Sequence, residues 1–109
     1  MKKFIIMALM LMICVLSIQA QEMEVIHEKN KLVLMTIEYI PSIDEARFIY
    51  SCPSGLFERG EAISAIKERA TDFTKERGYF FYTYIRPDVT RYDNERKTAV
   101  FTSFIKFLK

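Results

Sequence analysis

The sequence predicts an α+β protein: a small antiparallel sheet with one amphipathic helix packed on one face, in the order β-β-β-α-β-β, preceded by a signal peptide. Three observations predict it. Between Glu61 and Arg77 the residues Ala62, Ile63, Ile66, Ala70 and Phe73 recur at helical spacing. On both sides of that segment lie runs rich in β-branched and aromatic residues, such as Leu32–Ile40 (LVLMTIEYI), which suit strands. The chain opens on a basic start followed by an apolar run, the layout of an export signal. Of 109 residues, 50% are hydrophobic and 28% charged, so the chain is long and apolar enough for one core and is not a disordered tract.

The leader comes first. Residues 1–20 (MKKFIIMALMLMICVLSIQA) divide into Lys2 and Lys3, an apolar stretch from Phe4 to Leu16, and a more polar end at Ser17-Ile18-Gln19-Ala20. A bilayer-spanning helix needs about 20 apolar residues, and this stretch is shorter. Cleavage is therefore expected after Ala20, with the mature chain starting at Gln21, no integral membrane span after cleavage, and a periplasmic or secreted destination. Leu11-Met12-Ile13-Cys14 has the outline of a lipoprotein signal. Ile13 stands where a small residue is wanted, and Val15 and Leu16 continue the apolar run, so acylation of Cys14 is not expected.

Residues 21–109 hold no repeat, low-complexity tract or linker and read as a single domain. Met23–His27 and Leu32–Ile40 form a hairpin across the polar Glu28–Lys31. Pro41 ends the second strand, Ser42–Glu45 form a loop, and Ala46–Cys52 (ARFIYSC) returns with Phe48 and Tyr50 on one face. The helix follows over Glu61–Arg77, with Lys75 and Arg77 in its last turn and Gly78 at the position of a left-handed cap. Tyr79–Arg86 (YFFYTYIR) has aromatic residues on both faces, as in a strand covered on both sides. A loop of Pro87–Arg96 and a last strand Lys97–Leu108, with Ala99, Phe101, Ile105 and Phe107 on one face, complete the chain.

Charge and composition exclude several function classes. Sixteen Lys/Arg stand against fourteen Asp/Glu, and removing Lys2 and Lys3 with the leader leaves 14 against 14. A neutral chain lacks the backbone attraction a nucleic-acid binder needs. Arg77-Gly78-Tyr79-Phe80-Phe81-Tyr82-Thr83-Tyr84 approximates an RNA-recognition strand, yet Phe80 and Tyr82 occupy its small and aliphatic positions, so no nucleic-acid partner is expected. One His, His27, without neighbouring ligands makes no metal site, and three Gly offer no phosphate loop, so neither metal nor cofactor is expected. Glu68, Asp72 and Glu76 share one helix face, where a solvated charged surface is the simpler reading than a calcium row.

The string Arg69-Ala70-Thr71-Asp72-Phe73-Thr74-Lys75-Glu76-Arg77-Gly78-Tyr79-Phe80-Phe81 resembles the signature R-A-A-E-L-T-x-E-x-G-Y-x-Y-F of a family of short bacterial envelope lipoproteins. Arg69, Ala70, Thr74, Glu76, Gly78 and Tyr79 match, and Asp72, Phe73 and Phe81 are similar replacements. The resemblance implies an α+β envelope protein with no assigned catalytic activity. The poor acylation signal at Cys14 departs from that family.

These residues lead to the expectation of an exported accessory protein that binds an unknown protein or envelope component and performs no catalysis. Tyr82, Tyr84, Arg86, Arg91, Tyr92 and Arg96 gather around the last hairpin and form the candidate interaction surface, because Arg and Tyr are favoured at interface hot spots. One alternative is a thiol hydrolase or redox enzyme built on Cys52 with His27 as base. Another is a carrier of a small apolar ligand between helix and sheet, using Phe73, Tyr79, Phe81, Phe101 and Phe107.

Overall fold

The computed structural model describes residues 22–109. The expected leader, its cut after Ala20 and Cys14 lie outside the described residues. Among the described residues five strands, β1 (Glu24–Asn30), β2 (Val33–Ile40), β3 (Glu45–Pro53), β4 (Phe81–Asp93) and β5 (Thr98–Leu108), form one antiparallel sheet, and one α-helix, α1 (Arg59–Glu76), lies between β3 and β4 in sequence. The spatial order is β1-β2-β3-β5-β4, so α1 carries the chain across β5 and delivers β4 to the far edge. The order β-β-β-α-β-β is the expected one. No helix among the described residues is long and apolar enough to cross a membrane.

Strict alternation places the core. Met35, Ile37 and Tyr39 of β2, Ala46, Phe48, Tyr50 and Cys52 of β3, and Phe101, Ile105 and Phe107 of β5 are buried on one face of the sheet. Against them α1 sets Ala62, Ile66, Ala70 and Phe73, each fully buried. The aromatic rings interlock edge to face, with Phe73 5.0 Å from Tyr39 and 5.9 Å from Phe48 between ring centroids.

The helix ends have separate causes. At its start the Glu58 carboxylate accepts from the backbone N–H groups of Gly60 and Glu61, at 2.9 and 2.7 Å. At its end Gly78 N–H donates to Lys75 O at 3.2 Å and Tyr79 N–H to Thr74 O at 2.9 Å, the paired bonds of a Schellman cap. Gly78 makes this possible with φ of +75°, a backbone state that L side chains rarely adopt.

Two expectations about the last hairpin are corrected. The residues Pro87–Arg96 are not a loop: β4 runs on to Asp93 and the turn is confined to Asn94–Lys97. The eleven residues of β5 offer a full row of backbone partners, and register shifts between Tyr84 and Arg86 and between Arg86 and Val89 absorb Pro87, which has no N–H to donate. Nor is β4 covered on both sides. It is an edge strand with nearly every side chain exposed. Tyr79 and Phe80 precede it, and Tyr79 belongs to the helix cap.

Candidate functional site

Since α1 covers one face of the sheet, no described element covers the other, hereafter the open face. Its middle is uncharged: Thr36 of β2, Ile49 of β3 and Thr102 of β5 stand in register, flanked by Leu34, Ser51 and Val100 in the next row. On the other side of the middle, Glu38 pairs with Arg47 at 3.0 Å and Glu45 with Lys106 at 3.9 Å. The Lys106 Nζ also donates to Ile43 O at 2.6 Å. Arg86 lies over the Phe104 ring, 5.0 Å from its centroid, and neither Arg86 nor Arg91 forms an ion pair with a described residue. A hollow of about 190 Å³ opens here between Ile40, Arg47, Ile85, Arg86 and Phe104.

The candidate surface residues therefore divide between two faces. Arg86 pairs in register with Phe104 and Arg91 with Val100, on the open side. Tyr82, Tyr84 and Tyr92 oppose Phe107, Ile105 and Ala99, on the helix side. Tyr82 and Tyr84 meet edge to face at 5.9 Å, and Tyr92 meets Phe57 in the same way at 6.0 Å. Arg96 sits in the turn, its Nε 3.9 Å from Asp93 Oδ2.

Cys52 and His27 are not brought together. Cys52 points into the core and is 4% exposed, while His27 lies two strands away on β1 and faces out on the opposite side, its Nδ1 hydrogen-bonded to Thr36 Oγ1 at 3.2 Å. Two strands alone separate them by about 10 Å. Burial, and then the Glu61 charge, push the Cys52 thiol up, which disfavours the thiolate a nucleophile needs. Among the described residues no group of three or more His, Cys, Asp or Glu could hold a metal ion.

The diagonal course of α1 leaves a groove on the helix side. Phe57, just before α1, packs near Phe101 and Tyr92, whereas Arg77, just after it, reaches Glu24 of β1. The β1–β2 turn end of the sheet is thus uncovered, and a groove of about 370 Å³ forms there over Val33, Met35 and Tyr50. Ala65, Glu68, Arg69 and Asp72 of α1 make one wall and Glu28, Lys29 and Asn30 the other. Arg69 spans the gap to Glu28 at 2.7 Å and also binds Glu76 at 3.3 Å. The aromatic residues expected around an apolar ligand lie elsewhere: Phe73, Phe101 and Phe107 fill the core against one another, and Phe81 is 48% exposed.

Another polar cluster had no sequence signal beyond Asp44 falling in a polar loop. Tyr79 O–H donates to Asp44 Oδ1 at 2.6 Å, so the Tyr39 hydroxyl, 2.5 Å from it, must donate to Tyr79. Burial first, and then the Asp44 carboxylate, push the Tyr79 phenol well above its ordinary value. All three groups are satisfied, and the cluster ties the helix exit to the β2–β3 connection.

Compared with known proteins, the chain matches no family model, no curated protein and no solved structure. The likeness at Arg69–Phe81 rests on those residues alone, and each identical position has a structural task. Ala70 is fully buried, Arg69 bridges Glu28 and Glu76, Thr74 donates its hydroxyl to Ala70 O at 2.7 Å, Gly78 takes the left-handed cap, and Tyr79 binds Asp44.

Proposed function

We propose that this protein is exported to the periplasm or beyond and works there as an accessory protein that binds an envelope component, without catalysis. The supporting observation is the open sheet face, where apolar and hydroxyl side chains lie flat beside two guanidinium groups that no described carboxylate pairs with. Arginine is among the residue types enriched at interface hot spots. The leader of residues 1–20 and the likeness at Arg69–Phe81 support the envelope setting.

Cross-linking and pull-down from an envelope fraction test this reading, with the protein compared against its Arg86→Glu/Arg91→Glu variant. A component retained by the first and lost by the second is the expected result. Equal retention by both, or an intact mass that still includes residues 1–20, would overturn the reading. A second reading, a carrier of a small ligand between helix and sheet, is favoured by the groove over Val33, Met35 and Tyr50.

A further inference from the structure

We infer that the open sheet face docks an acidic protein partner, one that presents an apolar stripe with a carboxylate at each end. The inference rests on the binding reading of that face and names the chemistry of its partner. One row across the sheet carries the pattern: Lys29, Leu34, Ser51, Val100 and Arg91 stand in register on β1, β2, β3, β5 and β4. The next row repeats the uncharged middle with Thr36, Ile49 and Thr102. Apolar and hydroxyl side chains therefore fill these rows on the three central strands, and a cation stands on each edge strand. With neighbouring strands about 4.8 Å apart, Lys29 and Arg91 are set about 19 Å from each other.

The charge on this face is one-sided once the engaged groups are set apart. Its strand carboxylates are all occupied: Glu38 with Arg47 at 3.0 Å, Glu45 with Lys106 at 3.9 Å, and Asp93 with the backbone N–H groups of Glu95 and Arg96 at 3.1 and 3.2 Å. Lys29, Arg86 and Arg91 form no ion pair with a described residue. Both edges of the face are thus positive, and the rows between them are neutral. A partner that brings carboxylates to the edges gains at both ends, whereas a neutral one desolvates the cations with no compensation and a basic one is repelled. The span selects further. Rising 1.5 Å per residue, a helix reaches from one edge to the other in about 13 residues. A helical segment with acids at that spacing and an apolar stripe between them answers both cations at once. An anionic membrane surface, by contrast, sets charged headgroups against the apolar middle as well as against the edges.

The test uses stapled helical peptides as rulers, titrated into the purified protein and followed by NMR of the Ile49 and Val100 methyl groups. One peptide carries glutamates about 13 residues apart at the ends of a leucine stripe. A second replaces those glutamates with lysine, and a third keeps them but sets them one helical turn apart. The first is expected to saturate and to move both methyl signals. Lys29→Gln and Arg91→Gln should each weaken it about two- to fivefold, the scale of one exposed charge contact, and the third peptide should be weaker by the same factor. The lysine peptide should be about tenfold weaker, and added salt should narrow that gap. Unmoved methyl signals, a lysine or short-spaced peptide bound as tightly as the first, or an insensitive Lys29→Gln variant would overturn the inference. So would phosphatidylglycerol vesicles that move the same signals when no peptide does. Each of these outcomes leaves the envelope-binding reading standing, since that reading fails separately, through equal retention of envelope material by the protein and its Arg86→Glu/Arg91→Glu variant.

Discussion

Phe73 sits where the two layers meet, fully buried, with Tyr39, Phe48 and Phe107 around its ring and the Arg77 guanidinium 4.9 Å from its centroid. Truncating it to Ala removes those contacts and opens a cavity. Phe73→Ala is expected to lower stability by about 3 to 5 kcal/mol, whereas Lys75→Ala, on the solvent side of the same helix, should stay within about 0.5 kcal/mol. Equal small effects in a denaturant titration would show that α1 does not bury this stripe. Tyr79 makes a pH prediction of known sign. Its phenol is raised in the folded state by burial and then by Asp44, so the folded form holds its proton more tightly than the unfolded form, whose phenol titrates near 10. The stabilisation is full below pH 10 and is lost as pH rises above that toward the folded value. Stability should fall through this alkaline range, and Tyr79→Phe should flatten the fall while lowering stability at neutral pH by about 1 to 3 kcal/mol through the orphaned Asp44 contact. An identical alkaline slope in the variant would contradict this account.

Among the elements, α1 was the most legible, because its period, its basic last turn and Gly78 all point the same way. The Gly78 cap can be tested alone. A Cβ there meets no atom within 4 Å, so the only penalty is the positive φ. Gly78→Ala should cost about 1 to 2 kcal/mol, and Gly55→Ala, with equal space and no positive φ, should be near neutral. Strand β4 was legible only in its first half. Pro87, Asp88 and the charged residues after them resemble a loop by composition, yet the ladder from β5 holds them extended. The same bulge explains why the candidate surface was divided. Period-two spacing places Tyr82, Tyr84 and Arg86 on one face, and the register shift after Tyr84 turns Arg86 to the other. The β1 strand is held to the helix by polar contacts that no sequence period announces, Glu24 with Arg77 at 2.5 Å and Glu28 with Arg69. The Arg77 hydrogen bond lowers the Glu24 pKa, so this contact contributes above the ordinary carboxylate range and is lost as pH falls through the lowered folded value. Hydrogen exchange should show Val25–Lys29 losing protection on acidification before β2, β3 and β5 do. Uniform loss across the sheet would show that β1 does not depend on Glu24.

For the molecule as a whole, a two-layer fold with one open sheet face raises the question of what covers that face. The core and layer order were readable from alternation and helical period. The open face and the groove were not, since both depend on the path of α1 over the sheet, which no local pattern encodes. A second copy is the simplest candidate cover, and the charge layout argues against it. On the open face His27 and Lys29 lie at the β1 edge and Arg86 and Arg91 at the β4 edge, with the apolar and hydroxyl middle between them. Stacking two such faces about a two-fold axis along the strands sets β4 of one copy over β1 of the other, which brings Arg91 to Lys29. An axis across the strands instead reverses the rows and brings Arg86 to Arg91. Both centred arrangements oppose like charges, which are destabilising where they meet in a partly desolvated interface. The protein is therefore expected to sediment as a monomer at tens of micromolar in low salt. Replacing both arginines by Glu should reverse the sign at one edge, set a carboxylate in place of the Arg91 guanidinium against Lys29, and promote self-association. Sedimentation velocity on the protein and on Arg86→Glu/Arg91→Glu decides the matter: a stable dimer of the unaltered protein that persists in low salt would mean that the open face is closed by its own copy.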